Sequence, residues 1–352
     1  MKDIKAIWKT FKRRRAAVHE GVIGDPLPHR FELSVRRWQL RARRMWLRAA
    51  VRRRPDAAPP ENPIFIIGCP RSGTTLLFRL LQQHAGISTP GGEGHILWNT
   101  FQHPRDRDWS SDRLTQADIR QGEREFLYAA IGTMTRAGRF LDKTPRNCLR
   151  VPYLRALFPC ATFVLLKRDG PPTVSSLIEG WTVRHGISYR LPERLELAEY
   201  SGYRWSYLLP PEWRALRRTT IADVAARQYV VSYETVLADL AESDAGSVVE
   251  LTYEDLVARP VEEMRRLHDA LGLPQSDEVL AMAANLSGHQ VQTNSPPRPD
   301  KWRDRADEIG RILHRSLRLR RSSDTNLRRI SDLKARAQVL FEDIRATSEM
   351  LL

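Results

Sequence analysis

The sequence predicts an α/β fold in which a doubly wound parallel sheet carries helices on both faces. A continuous apolar segment at 64–68 runs into a small-residue turn and then into an apolar helical pattern. Further segments predicted to be strands, at 139–143, 161–167 and 248–253, alternate with helical patterns. Parallel strands are buried on both faces and therefore read as unbroken apolar runs, and strand–helix alternation is typical of doubly wound sheets.

The composition excludes several classes of protein. Apolar residues make up 41% of the 352-residue chain, enough to bury a full core and exclude extensive disorder. No apolar run approaches the ~20 residues needed to cross a bilayer. The first residues lack the apolar stretch of a secretory signal. The Cys and His residues have no metal-ligand spacing, so we expect a cytoplasmic protein without a metal ion.

The positive charge is concentrated at the N terminus. Residues 1–54 contain 17 of the 57 Lys and Arg but only 4 of the 42 Asp and Glu. Amphipathic patterns at 4–11 and 31–49 predict a basic helical arm, and prolines in 55–63 predict a linker. The arm packs on the protein or on a second subunit of a homo-oligomer, or it docks peripherally on the anionic inner face of a membrane. Nucleic-acid binding is not expected, because the body is nearly neutral.

The remainder, 64–352, is predicted to be the main domain. Within it, helices are expected near 76–83, 146–158 and 260–271. Residues 181–245, rich in Trp, Tyr and Arg, interrupt the strand–helix alternation and are predicted to be a helical insertion. A closing helix is predicted at 326–347.

The turn at 70–75 predicts an anion site. A strand that enters such a turn and leaves as a helix directs backbone N–H groups and the positive helix end at one point. Arg71 adds a charge, and Thr74 and Thr75 add hydroxyl donors. The loop lacks the lysine and the spacing of G-x-x-x-x-G-K-[ST]. It therefore has no side chain suited to the γ-phosphate of a nucleoside triphosphate.

Two motifs together resemble sulfotransferases that use 3′-phosphoadenylyl sulfate (PAPS). "PRSGTT" after a strand resembles the family's 5′-phosphosulfate loop, which implies that Arg71, Ser72, Gly73, Thr74 and Thr75 bind the donor. "ATFVLLKRDGPPTVSSL" resembles its 3′-phosphate site, which implies that Arg168 and Ser176 bind that phosphate. An arginine at a strand end and a hydroxyl on the next helix are suited to hold a dianion together.

The second motif departs from the family pattern at three positions. Members usually have an aliphatic residue before the arginine and a proline after the aspartate, where this chain has Lys167 and Gly170. The tyrosylprotein sulfotransferase branch has another arginine four residues beyond the serine, where this chain has Gly180. The contact to the 3′-phosphate is therefore expected to be smaller or supplied from elsewhere.

Further, shorter motif matches extend the resemblance over about residues 62–303. "GGEGH" implies that Glu93 deprotonates the acceptor, and "LDKTPRN" implies that Lys143 stabilises the transferring charge. Three more residues would contact the donor by the same resemblance: Tyr253, Ser295 and Lys301. His95 is the alternative base, because histidine has the more suitable unperturbed pKa.

The resemblance implies a PAPS-dependent sulfotransferase that acts on a hydroxyl by in-line transfer. The acceptor is expected to be lipid-linked, a glycan or a small molecule, in contact with aromatic residues of the insertion: Trp181, Tyr203, Trp205, Tyr207 and Trp213. A P-loop nucleotide kinase is one alternative, although it would need the missing lysine. A non-catalytic nucleotide- or membrane-binding protein of the same fold is another, although it would not need Glu93.

Overall fold

The computed structural model describes residues 18–19, 22–24, 45, 47, 49, 51–52, 57–135, 138–183, 186–241, 247–286 and 301–312. The predicted helices at 4–11 and 326–347 lie outside these ranges, as does Ser295. The described strands are β1 (Val18–His19), β2 (Val22–Gly24), β3 (Ile64–Ile67), β4 (Ile87–Ser88), β5 (Arg139–Asp142), β6 (Thr162–Lys167), β7 (Ile187–Glu196), β8 (Tyr200–Ser206) and β9 (Val248–Thr252).

The described helices mostly lie between these strands. They are α1 (Thr74–Leu81), α2 (His95–Trp98), α3 (Glu123–Met134), α4 (Val151–Leu157), α5 (Gly170–Thr182), α6 (Ile221–Leu240), α7 (Tyr253–Ala258), α8 (Pro260–Leu271) and α9 (Asp277–Ala284). Short 3₁₀ helices span Pro104–Arg107, Gln116–Asp118, Pro145–Leu149, Trp213–Leu216 and Lys301–Arg305.

The central sheet is parallel, as predicted. Among the described residues its five strands lie in the order β4-β5-β3-β6-β9. Alternate residues of β3 enter two cores: Phe65 and Ile67 pack in one, and Ile64 and Ile66 pack in the other. Helices α4, α5 and α6 cover the first face, and α1, α8 and α9 cover the second. Burial on both faces explains the unbroken apolar runs.

The strand order creates a crevice at the carboxyl ends of β3 and β6. The next strand of this sheet after β3 is β4, at one edge, whereas the next strand of this sheet after β6 is β9, at the other edge. The loops that follow these two adjacent strands therefore diverge and leave a gap at their carboxyl ends. Ligands bind doubly wound sheets at such a point.

The predicted helical insertion is wrong in its first half. Strands β7 and β8 form an antiparallel hairpin, and α6 is the one long helix among the described residues of this segment. The side chains of β7 alternate, because Tyr189, Leu191 and Leu195 are buried while their neighbours are half-buried or exposed. This period of two is typical of a strand with one face on the core.

The aromatic residues of this segment form core rather than an acceptor pocket. Trp205 and Trp213 are fully buried, and Trp181 is 3% exposed. The Trp205 ring contacts both of the others, edge to face. Tyr203 is half-buried beneath the Arg190 guanidinium. Four of the five predicted acceptor-contacting aromatics, including Tyr207, are therefore largely unavailable to a ligand.

The described parts of the N-terminal arm pack on the protein. β1 and β2 form a two-stranded hairpin, and β2 pairs in parallel with β8. The arm is therefore not helical throughout, since the branched residues Val18, Val22 and Ile23 favour strands. Leu47 is only 1% exposed within the first core, whereas Met45 is exposed. Docking of residues 1–54 on a membrane stays a prediction, as does a homo-oligomer.

Tyr207 fills the space beside α5, which yields a prediction of stability. A Cβ at Gly180 would lie 1.6 Å from Tyr207 Oη and 2.8 Å from its Cζ. We expect Gly180→Ala to lower the free energy of unfolding by about 1–3 kcal/mol, because the buried ring must move. Urea denaturation measures the change.

The matched control is Gly310→Ala. Gly310 is also helical, but no atom of the described residues lies within 4 Å of its Cβ position. This control should be neutral or stabilising by up to about 1 kcal/mol, the difference in helix propensity. Equal effects of the two substitutions would contradict the assigned clash.

Candidate active site

The loop between β3 and α1 has a backbone geometry suited to anion binding. Arg71 and Gly73 adopt left-handed backbone angles, with φ of 73° and 97°. The Ser72 N–H donates to the Cys69 carbonyl at 3.1 Å and closes the turn. Helix α1 then begins at Thr74 without a side-chain cap. Its first N–H groups therefore lack the usual intrahelical and capping partners and can bind an anion.

Tyr253 lies against this loop. A Cβ at Gly73 would lie 2.3 Å from Tyr253 Cδ2, so only glycine permits this close approach. The positive φ of Gly73 is a second reason for glycine at this position. Tyr253 opens α7, directly after β9. The structure thus brings the predicted donor-contacting tyrosine to the loop from the far edge of the sheet.

Arg71, Arg168 and Ser176 also converge in the crevice. Arg71 Nε donates to Ser176 Oγ at 3.0 Å, across 105 residues of sequence. Arg168 Nη1 donates to the Arg71 carbonyl at 2.9 Å, and its guanidinium lies 4.1 Å from the centre of the Tyr253 ring. Arg168 Nε is buried and has no hydrogen-bond partner among the described residues.

Two tyrosines of α6 fix the backbone that carries Arg168, and sequence reasoning missed both. The Arg168 N–H donates to Tyr233 Oη at 3.1 Å, and Tyr229 Oη donates to the Arg168 carbonyl at 3.2 Å. The two residues are four apart on one helix face. That spacing was the available signal, but nothing local indicated which strand the face would meet.

The departures from the family pattern have their own contacts. Lys167 forms an exposed ion pair with Glu250 on the neighbouring strand, at 2.7 Å. Gly170 is the first residue of α5, followed by Pro171 and Pro172 in its first turn. Gly180 is covered by the Tyr207 ring, so no arginine side chain fits there without displacing it.

Lys143 joins the loop to Glu93. It follows β5 directly, and its Nζ lies 3.0 Å from Thr75 Oγ1 and 2.5 Å from Glu93 Oε1. The Lys143 side chain is only 4% exposed, whereas that of Glu93 is 37% exposed. One ammonium group therefore contacts both the start of α1 and a carboxylate that is open to solvent.

His95 holds the other oxygen of Glu93. His95 Nε2 lies 2.6 Å from Glu93 Oε2, and His95 Nδ1 lies 2.5 Å from Arg146 Nη2. Arg146 is buried, and its Nη1 contacts the Tyr189 hydroxyl. The sequence motifs assign no role to Arg146, although it lies within the same "LDKTPRN" segment as Lys143.

These contacts change the pKa values of both candidate bases. Burial by itself would raise the pKa of Glu93, but the hydrogen bond from His95 and the charge of Lys143 lower it to about 2. Burial and the positive charge of Arg146 lower the pKa of His95 to about 4, against the opposite effect of Glu93. At neutral pH the pair is therefore a carboxylate beside a neutral imidazole.

Asp142 anchors the segment that carries Glu93. This buried carboxyl accepts from the Gly94 N–H at 3.0 Å, from Trp98 Nε1 at 3.0 Å and from Asn147 Nδ2 at 2.9 Å. Burial raises its pKa to about 6, despite hydrogen bonds that favour the charged form. Its role is structural, since its oxygens are occupied by these donors.

The remaining predicted site residues give less information. Lys301 begins the 3₁₀ helix Lys301–Arg305, but its side chain lies outside the described atoms. Within the described ranges, no cluster of His, Cys, Asp and Glu is suited to a metal ion. None of the helices in the described part of the chain has the length and hydropathy of a membrane span.

Comparison with known proteins identifies the relatives of this chain. Residues 63–277 match the model of a family described as "Sulfotransferase family". The chain is similar to protein-tyrosine sulfotransferase A of Caenorhabditis elegans, with 27% identity over 230 residues that cover 62% of this chain and 51% of that protein. It is also similar to nodulation protein NoeE of Sinorhizobium fredii, with 28% identity over 247 residues that cover 64% and 54%.

The chain therefore spans about half the length of these curated relatives. Among solved structures it is similar to the sulfotransferase STF9 from Mycobacterium avium. That match has 15% sequence identity and a TM-score of 0.48, and it covers 78% of this chain and 81% of that one.

Proposed function

Since the chain belongs to the sulfotransferase family, we propose that it transfers a sulfuryl group from PAPS to an acceptor hydroxyl. The observation that carries the proposal is the convergence of Arg71, Arg168 and Ser176 beside an uncapped helix N terminus. Two guanidinium groups and a hydroxyl suit a nucleotide with two separate anionic groups.

The residues present fit such a nucleotide. The unpartnered, buried Nε of Arg168 is a donor that a bound phosphate would satisfy. The Tyr253 ring beside Gly73 and the loop residues Ser72, Thr74 and Thr75 complete the surface that would hold it. Once bound, PAPS would supply an activated sulfuryl group, whose transfer depends mainly on positioning and on charge neutralisation.

Glu93 is the proposed general base. Its carboxylate is ionised at neutral pH, partly exposed, and 2.5 Å from the ammonium that also contacts the donor loop. A hydroxyl that approaches from solvent could therefore meet both the base and the reacting group. Lys143, in contact with Thr75, is proposed to neutralise charge that develops on the transferring group. The acceptor is proposed to be lipid-linked, a glycan or a small molecule.

Calorimetric titration with adenosine 3′,5′-bisphosphate, without Mg²⁺, tests the donor assignment. We expect binding, and weaker binding of adenosine 5′-monophosphate, because Arg168 and Ser176 would then lose the 3′-phosphate. Absence of heat with the bisphosphate would contradict the proposal. Binding only of ATP with Mg²⁺ would instead favour the nucleotide kinase.

Transfer itself is tested with ³⁵S-labelled PAPS and a whole-cell extract as the source of acceptors. We expect label in a hydroxyl-bearing product whose mass has increased by one SO₃ group. Binding of the bisphosphate without any transfer of label would favour the non-catalytic alternative.

A further inference from the structure

His95 contacts Glu93 directly, and both nitrogens of its ring are engaged. Nε2 faces Glu93 Oε2 at 2.6 Å, and Nδ1 faces Arg146 Nη2 at 2.5 Å. The two contacts decide which nitrogen carries the proton. A guanidinium group has five N–H donors and no acceptor, so Nδ1 must accept from Arg146. The single proton of the neutral ring is then on Nε2, which donates it to Glu93.

Arg146 is held in place by contacts with Tyr189 and Asp112. Its guanidinium contacts the Tyr189 hydroxyl, and its Nη1 lies 3.6 Å from Asp112 Oδ1. Asp112 is fully buried and also accepts from Arg150 Nη2 at 2.7 Å and from Tyr189 Oη at 2.5 Å. The arginine therefore keeps its charge and its direction, with the imidazole between it and the solvent-facing carboxylate.

This arrangement keeps the imidazole neutral. The charged and titratable groups that face it are Glu93, Arg146 and Arg150, and behind Arg146 lie Asp112 and Tyr189. Burial and then the charge of Arg146 lower the pKa of His95 to about 4, more than Glu93 raises it. Protonation of Nδ1 would also break its hydrogen bond and bring two positive groups together.

We propose that His95 and Arg146 are positioning residues: Arg146 keeps Nδ1 of His95 unprotonated and the ring in its neutral Nε2–H form, and His95 thereby aligns the Glu93 carboxylate for the acceptor hydroxyl. This inference rests on the proposed function, in which Glu93 is the base. The ring has no free lone pair, so His95 takes no proton from the acceptor. With Oε2 held by His95 and Oε1 by Lys143, the carboxylate has a single orientation.

The form of the His95 ring is measured by ¹⁵N NMR on protein with labelled histidine, with the spectrum of His95→Gln as the assignment. We expect a neutral Nε2–H ring from pH 8 down to about pH 5. In Arg146→Met the pKa of His95 should rise, because the positive charge that opposes protonation of Nδ1 is removed. Arg146→Lys retains the charge and covers the case in which the methionine variant does not fold.

The alignment is measured by the initial rate of ³⁵S transfer into the cell extract. His95→Ala should lower this rate by about 10- to 100-fold, the scale of a misplaced catalytic group. His95→Gln should stay within about threefold of the unmodified protein, because its amide N–H can replace Nε2–H. The affinity for adenosine 3′,5′-bisphosphate should be unchanged in both variants.

His103→Gln is the matched control. The pKa of His103 is also lowered to about 4, by burial and by Arg105, but its Nδ1 accepts from the Arg105 N–H and its ring does not contact Glu93. The inference is overturned if His95 of the unmodified protein carries its neutral proton on Nδ1, or if His95→Gln is as slow as His95→Ala. If the unmodified protein transfers no label at all, the proposed function fails, whereas the NMR experiment still decides the form of the ring.

Discussion

Replacement of Arg71 by alanine is expected to abolish measurable binding of adenosine 3′,5′-bisphosphate. The Arg71 side chain donates to Ser176 at the proposed binding site, whereas the backbone carbonyl that accepts from Arg168 is retained in the variant. A guanidinium group can donate two hydrogen bonds to one anionic group. Hydrogen bonds to charged groups contribute about 1.5–3 kcal/mol each, so loss of the two that Arg71 is proposed to donate to the nucleotide would weaken binding by a factor of at least 100. Titration calorimetry measures the affinity.

Arg79→Ala is the control for this experiment. Arg79 lies in the last turn of the same helix α1, away from the loop at its N terminus. Its removal lowers the net charge equally but should leave the affinity nearly unchanged. An Arg71→Ala variant that binds as well as Arg79→Ala would refute the assignment of the loop.

The second large effect is expected from Glu93→Gln, which should reduce sulfuryl transfer by about 10²- to 10⁴-fold, the usual contribution of a general base. Glutamine keeps the size of the side chain, and its one carbonyl oxygen can still accept from Lys143 or from His95, but it cannot take a proton. The affinity for adenosine 3′,5′-bisphosphate should change little. Single-turnover transfer of ³⁵S, combined with calorimetry, separates the two quantities.

Glu125→Gln, on the exposed face of α3, is the matched control and should transfer label at the normal rate. Full activity in Glu93→Gln would remove Glu93 as the base. Such a result would not make His95 the base, because both nitrogens of its ring are engaged.

The central sheet could be predicted because its signals are local. Each of the strands β3, β5, β6 and β9 contains at least two adjacent apolar residues, and its observed bounds differ from the predicted bounds by one residue. The turn at 70–75 was recognisable for the same reason, since strand, turn and helix follow one another directly. The convergence of Arg71 with Arg168 then follows from strand order.

The hairpin of β7 and β8 and the contacts of Arg146 were not predictable in this way. Trp and Tyr at 181–213 fit a helix or a strand, and the pairing of β2 with β8, about 180 residues apart, decides between them. Arg146 appears in sequence as one of 49 arginines. Its burial against Asp112, Tyr189 and His95 depends on segments that only the tertiary fold brings together.

The ammonium group of Lys143 is shared between Thr75 and Glu93, which links occupancy of the loop to the proton affinity of the carboxylate. An anion that draws this charge towards α1 leaves Glu93 with less compensation, and its carboxylate becomes more basic. Thermodynamic reciprocity then requires that protonation of Glu93 increase the affinity of the loop for that anion. If the loop binds the nucleotide as proposed, nucleotide and proton are cooperative ligands, and nucleotide binding near the pKa of Glu93 should take up a fraction of a proton.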